Sequence, residues 1–470
     1  MAHRIKVAFV NQGWDTVSPP VNAASIPIWT YETAKRLAQD CQVVLYSRRN
    51  EDQSAVETYE NVEYRRVSVG GSKLSNGSTR LISKLAPSFQ YLNSRLYYLP
   101  YILRVALDLR QQQCDIVHIH NFSQFVPIIR AFNPQIKIVL HMHCEWLSQF
   151  KPTVIRPRLP QVDLIVSCSD YITNKIKACF PEVADRCQTV YNGVDTQQFA
   201  KAQIVAKQAA LEAAKDLEAS QHPDKDAEAA PNLLFVGRVS PEKGLHTLVD
   251  AFSKVANQFP TAQLFIIGSQ KQISSEFVID ISDDPLVQNL AVFNSVNYLK
   301  AVKKQLSPDV AKRVIFTGPI SHLELQDYFQ RADILINPSV SEAFGMSLVE
   351  AMATGTPAIG TAIGGMPEIV QHGKTGLIVP AENPAALADA IAQLLSNESL
   401  RAKMGEAGRV RAVETFSWQA IALSLANQYR QLLSTEKPAA FPTTSERYSL
   451  AVNDPIITQS MPQKVAGGAL

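Results

Sequence analysis

Two glutamates separated by seven residues, with a glycine and a helix start between them, are the residues best placed to do chemistry. Residues 337–376 read NPSVSEAFGMSLVEAMATGTPAIGTAIGGMPEIVQHGKTG. A strand is expected to end near Asn337 and a loop to carry Ser341, Glu342, Ala343, Phe344 and Gly345. A helix then runs to about Thr354, where Gly355 stops it. The free amides and positive dipole end of such a helix bind phosphate, so Gly345, Met346 and Ser347 are candidate pyrophosphate contacts. Glu350, inside the helix, can accept hydrogen bonds from two vicinal hydroxyls of the kind a ribose offers. Glu342 lies earlier in the loop, nearer a bound sugar. Taken singly, both are ordinary surface glutamates, Glu342 serving as a capping acid; the flanking pattern is what argues for a site.

A second cluster begins at Phe235 and reads FVGRVSPEKGLHTLVDAF. A strand ending at Val236, a turn at Gly237 and a helix from near Leu245 put Arg238 and Lys243 at a strand's carboxyl end. Two cations there can neutralise the charge on a departing diphosphate without a metal, and no Asp-x-Asp motif suggests one. A third cluster, Ile138–Trp146, reads IVLHMHCEW. Strand alternation puts His141 and His143 on one side, and His143, nearer the strand end, is the better candidate to face a ligand. A buried structural histidine is the plainer alternative. His118 and His120, in the preceding strand, read as core or acceptor-side residues and not as a metal site, because the sequence supplies no third ligand.

These residues need a scaffold that presents strand ends to one cleft. Short β-rich apolar runs alternate with helix-length amphipathic segments in both halves, as parallel sheets with crossover helices do. Strands are expected at 6–10, 43–46, 116–119, 137–141 and 164–168, then at 233–236, 263–267, 314–317, 334–337 and 357–360. Helices are expected at 28–38, 96–111 and 247–258, among others. The fold class is therefore α/β, with two Rossmann-like domains facing each other across a cleft. A chain of 470 residues, 46% apolar, is long enough for two cores. The expected domains are 1–196, completed by a C-terminal helix at 416–434, and 232–415. Between them, 197–231 is an Ala/Lys/Glu-rich linker or insertion, and 435–470 is a poorly ordered tail.

The net charge of +2 hides an asymmetry: Met1–Asp195 carries about 22 Lys and Arg against about 16 Asp and Glu. A basic first half suits anionic partners such as lipid headgroups, although a solvated surface explains it as well. Six scattered cysteines without metal-ligand spacing point to a reduced, cytoplasmic compartment. MAHRIKVAFVNQ reads as a first strand rather than a signal peptide, and no apolar stretch approaches the roughly 20 residues that span a bilayer. Membrane contact, if made, is peripheral. Tyr91–Arg110, rich in aromatics, leucines and arginines, would be its surface unless it is a crossover helix broken by Pro100.

The Glu-x7-Glu of SEAFGMSLVEAMATGTPAIG, followed by GGMPEIV and HGKTGLIV, resembles glycosyltransferase family 4, the retaining enzymes of the GT-B fold. The resemblance runs from the first strand to Phe416–Trp418. It implies that Glu350 holds the donor ribose, that Glu342 lies by the transferred sugar, and that Arg238 and Lys243 stabilise the leaving diphosphate. It also implies that His143 sits near the reacting sugar, although here Cys144 follows where such proteins usually have Asp or Asn. Phe344 joins the donor-binding loop, and Ile320, after Gly318, borders the nucleobase. In the first loop the family often has a Gly-Gly pair; this chain has Asn22, Ala23, Ala24 and Ser25, expected to contact phosphate or acceptor. Asn192-Gly193 resembles the turn closing the first domain.

The implied activity is retaining transfer of a sugar from a nucleotide diphosphate donor to a lipid, glycan or small-molecule acceptor, with no metal or other cofactor and no nucleic-acid partner. The alternative is a catalytically inactive nucleotide-sugar or glycan binding protein. An oxidoreductase is disfavoured because no G-x-G-x-x-G follows the first strand.

Overall fold

Apolar runs too short for helices and bounded by turn residues become most of the strands, and fourteen strands form two sheets among the described residues. The computed structural model describes residues 4–21, 24–69, 98–198, 230–270 and 275–434. Most of the 197–231 linker, all of the 435–470 tail, and Asn22 and Ala23 lie outside them. The first sheet holds β1 (Lys6–Val10), β2 (Gln42–Arg48), β3 (Val56–Tyr59), β4 (Val62–Val67), β5 (Ile116–His120), β6 (Lys137–Met142), β7 (Leu164–Ser167) and β8 (Cys187–Thr189). Their order is β3-β4-β2-β1-β5-β6-β7-β8, and only the β3/β4 pair is antiparallel. The second sheet holds β9 (Asn232–Val236), β10 (Gln263–Ile267), β11 (Val314–Gly318), β12 (Ile334–Asn337), β13 (Ala358–Thr361) and β14 (Gly376–Val379). It is parallel throughout, in the order β11-β10-β9-β12-β13-β14.

Each sheet reverses its strand order once, between β1 and β5 in the first and between β9 and β12 in the second. The chain leaves such neighbouring strands toward opposite faces, which opens a crevice at their carboxyl ends. Arg238 and Lys243 follow β9, and Glu342 follows β12, so the second crevice receives all three. Residues 11–21 follow β1, and Asn121 follows β5, at the first crevice.

The helices that set the site are α1 (Ser25–Leu37), α2 (Leu99–Gln112), α3 (Asp170–Cys179), α4 (Leu245–Gln258), α5 (His322–Arg331), α6 (Met346–Thr354), α7 (Met366–Ile369), α8 (Glu398–Phe416) and α9 (Trp418–Leu433). Pro100 does not break α2: it stands in the first turn, where its missing N–H costs nothing, and the helix buries Tyr101, Ile102, Val105, Ala106 and Leu109. Most of this part of Tyr91–Arg110 is thus a crossover helix; residues 91–97 lie outside the described set. With α9 the chain returns to the first domain. Val194 bridges to Ser417, α9 packs on α1, and the Tyr429 hydroxyl is 2.7 Å from His118 Nδ1. Gly193 is required here by packing rather than by its turn, because a Cβ would stand 2.4 Å from the Trp418 ring. Among the described residues no helix is long and apolar enough to cross a membrane.

Candidate functional site

The crevice of the second domain is built around an ion pair. After β9 the chain makes a tight turn over Pro241–Lys243 that ends at Gly244, whose φ of 66° only glycine adopts freely. A Cβ there would also lie 2.0 Å from the Pro338 carbonyl oxygen, so the two loops of the crevice touch. Lys243 Nζ then donates to Glu342 Oε2 at 2.6 Å, both side chains 17% exposed. Arg238, 39% exposed, donates to the buried Glu242 at 3.1 Å. The Glu242 backbone carbonyl accepts from the amides of Val340 and Ser341, which fixes the β12 loop.

Beyond that loop, Gly345 at φ 114° begins α6 without a side-chain cap. The first amides of the helix are therefore available to an anion at its positive end. One and two turns on, α6 is buried on all sides, which fixes Glu350 in place. Its Oε1 lies 3.1 Å from His322 Nε2, and this hydrogen bond is the main cause of a raised His322 pKa. Glu350, His322 and Met346 line a hollow of about 210 Å³ whose opposite wall comes from the first domain, including Pro20, Ile28, Tyr31, Lys35 and Asp195. Arg238, Lys243 and Glu342 are not among its lining residues.

His322 was not found from sequence. Ser321 and Glu324 form a capping box that marks the start of α5, and a histidine at the first position of a helix following a strand end was the available signal. Ile320 lines a separate hollow with Phe265, Glu324, Asp327 and Tyr328. The expectation that Phe344 meets the donor needs correcting for its side chain. The ring is 2% exposed and packs between Tyr191 and Phe416, so it serves the seam between the domains. Ser347 is buried as well, its Oγ accepting from Asn337 Nδ2 at 3.3 Å.

In the first domain, Ala24 takes φ 65° and ψ 132°, a conformation suited to glycine, and α1 starts directly after it with no side-chain cap. Ser25 is the first residue of that uncapped start. Of the two histidines on β6 and its end, His141 is fully buried and His143 is partly exposed. The His143 backbone amide donates to Asn121 Oδ1, its ring nitrogen Nε2 is 2.9 Å from His120 Nδ1, and loss of solvent pulls its pKa down to about 3. It is thus a neutral ring at working pH.

The domains meet beside the crevice through the glycine pair of GGMPEIV. Gly364 has φ 59°, and a Cβ on it would stand 1.7 Å from the Glu342 carbonyl oxygen. A Cβ on Gly365 would stand 2.9 Å from Ser169 of the first domain. Glu368 then reaches across: its carboxylate accepts from the amides of Asp170 at 2.7 Å and Tyr171 at 2.6 Å, at the N-terminus of α3. Burial pushes the Glu368 carboxyl up to about 7, against the pull of these two donors.

Comparison with known proteins gives the family and the fold. The family description "Glycosyl transferases group 1" matches residues 217–411, and "Glycosyltransferase Family 4" matches residues 27–198. The putative glycosyltransferase YtcC of Bacillus subtilis (strain 168) is 30% identical over 342 residues, 72% of this chain and 77% of that protein. Spore coat protein SA of the same organism is 28% identical, over 70% of this chain and 81% of its own length. In fold, sucrose-phosphate synthase from Thermosynechococcus elongatus aligns with a TM-score of 0.64 at 22% identity, over 92% of this chain and 100% of the other. Anabaena HepE, solved in complex with UDP, aligns with a TM-score of 0.63 at 17% identity, over 91% and 100%.

Proposed function

The chain belongs to the glycosyltransferase group 1 family and has the GT-B fold, and from that premise we propose that it moves a sugar from a nucleoside diphosphate donor to an acceptor held by the first domain, with retention of anomeric configuration and without a metal at the diphosphate. The observation that carries this reading is the placing of Glu350 and Met346 in a hollow between the two domains, beside an uncapped helix start. A carboxylate held there binds the two ribose hydroxyls, and the amides of Gly345, Met346 and Ser347 take the pyrophosphate. Lys243 and Arg238 balance the charge that grows on the diphosphate as the glycosidic bond breaks. The departing phosphate oxygen accepts the proton of the attacking hydroxyl on the same face of the sugar. Glu342 and His143 orient the sugar from the two sides of the cleft.

Closure of the domains excludes water and brings the donor residues of the second domain onto the acceptor, a lipid, glycan or small molecule in the first. The start of α1 at Ala24 and Ser25 offers further amides to phosphate or acceptor. A peripheral position on the cytoplasmic face of a membrane is compatible with this route for a lipid acceptor.

Thermal shift with UDP-, GDP- and ADP-sugars, without added metal, tests the reading on the wild type and on Glu350→Ala. Selective stabilisation by one nucleotide class, lost in the variant, is the expected result. Equal stabilisation of both proteins would remove Glu350 from the donor site.

A further inference from the structure

Four histidines from two neighbouring strands meet below the strand ends of the first domain. His118 and His120 lie on β5, His141 lies on β6 and His143 just past it; His120 and His141 are directly opposed in the pairing register. The sequence reads His118 and His120 as core or acceptor-side residues and not as a metal site, for want of a third ligand; the fold brings a third histidine beside them from the adjoining strand. One ring nitrogen from each of His118, His120 and His141 lies within 4.8 Å of the others, and all three residues are 0% exposed. The indole of Trp29 packs against all four imidazoles.

The hydrogen bonds around this group leave it incomplete. Thr30 Oγ1 has a single hydrogen; when it goes to the Ile26 carbonyl or to Asn11 Oδ1, His120 Nε2 is the donor to Thr30. That leaves the His120 Nδ1 lone pair directed toward His143. His118 is oriented by Tyr429 on one nitrogen and lies 3.0 Å from His141 Nδ1 on the other. His141 Nε2 is buried and has no partner. The nitrogen that His141 turns toward His118 is Nδ1, so the close approach of the three rings, and not the unpartnered Nε2, is what offers a site. Burial keeps the three rings neutral, the form in which imidazole binds metals.

We propose that His118, His120 and His141 form a buried site for a late first-row transition-metal ion that ties β5 to β6 beneath His143. Imidazole nitrogens select ions of this class. Tetrahedral ligation at about 2.0–2.1 Å sets ligand nitrogens about 3.4 Å apart. The 3.0 Å between His118 and His141 therefore has to open by only a few tenths of an ångström as the ion displaces the proton they share. Thr30 and Tyr429 act as the outer partners that hold ligand rings in orientation. Three neutral imidazoles bring no charge, so Zn2+ would carry hydroxide in its fourth position, and Cu+ would need none. The ion is structural and separate from the diphosphate chemistry.

The test uses full-length protein without an affinity tag, reconstituted with Zn2+ or, under reductant, with Cu+, then desalted. Metal is counted by mass spectrometry in the wild type, His118→Asn and His141→Asn. The expected result is about one ion per chain in the wild type, a lower melting temperature after chelation, and roughly tenfold or greater loss of bound metal in each variant. X-ray absorption at the metal edge of the wild type does not depend on the variants folding, and should read imidazole nitrogens at about 2.0–2.1 Å. Neither ion retained after desalting, full retention by folded variants, or a spectrum without imidazole scattering would overturn the proposal.

Discussion

Lys243 Nζ donates to Glu342 Oε2 at 2.6 Å across the point where the second sheet reverses its strand order. In the free protein, then, the cation proposed for the donor's diphosphate is already occupied by the carboxylate proposed for its sugar. Donor binding has to exchange that pair for a phosphate on one side and sugar hydroxyls on the other. Lys243→Ala should lower kcat about 10²–10³-fold, the usual scale for removing one preorganised charge stabiliser, with a smaller change in KM. Glu342→Gln releases the lysine, so nucleoside diphosphate should bind more tightly while turnover falls. Steady-state kinetics and product titration separate the two; a tighter product with unchanged turnover would move Glu342 out of the reaction.

The pair His322–Glu350 makes a pH-dependent contribution whose sign follows from the raised His322 pKa. The stabilisation is fully present below the unfolded value of about 6.5 and is lost as pH rises through the folded one. The stability difference between wild type and His322→Gln should therefore be largest near about pH 6 and shrink toward about pH 9. Denaturant melts at the two pH values read it directly. A difference that stays constant would mean the contact is uncharged.

Ala24 holds a backbone conformation that glycine takes without cost. Ala24→Gly should gain up to about 1 kcal/mol in unfolding free energy, the relief of strain exceeding the entropy that glycine adds to the unfolded chain. The melting temperature checks it, and a drop would show that the loop is not strained at that position.

Most of the sheet framework was legible because its strands are buried on both faces and so read as unbroken apolar runs. β1, β10 and β12 fall where their sequences put them. The strands missed have local reasons. All four residues of β3 are exposed, so no apolar pattern marks it. β4, VEYRRV, alternates buried and half-buried positions and carries two arginines; β8 is three residues long, and β14 sits inside a glycine-bounded loop motif. The residues proposed for the donor could be read together because one strand, loop and helix carries Glu342, Gly345 and Glu350. His322 was not, because it meets Glu350 only through the packing of α5 beside α6. The inward ring of Phe344 was equally invisible, since its partners Tyr191 and Phe416 come from distant parts of the chain.

Glu368 shows how a motif residue can act on the domain seam rather than on a ligand. Its carboxylate takes the two first amides of α3, and its own backbone carbonyl accepts from Arg411 at 2.7 Å, so one residue links α7, α8 and α3. Removing both acceptors with Glu368→Ala leaves the amides of Asp170 and Tyr171 without them and should cost about 0.5–2 kcal/mol, the range for losing a helix cap. The pH dependence is the sharper test. Burial raises this carboxyl from 4.5 to about 7, so between those values the folded protein holds a proton that the unfolded chain has released. Stability from this group therefore falls as pH rises through the window, opposite to the behaviour of a surface carboxylate in an ion pair. Glu368→Gln cannot ionise and should show a flatter stability curve, with the wild type losing ground to it from about pH 5 to about pH 7.5. Parallel curves would mean that the amides of α3 hold the carboxylate ionised throughout, and that the seam does not respond to pH.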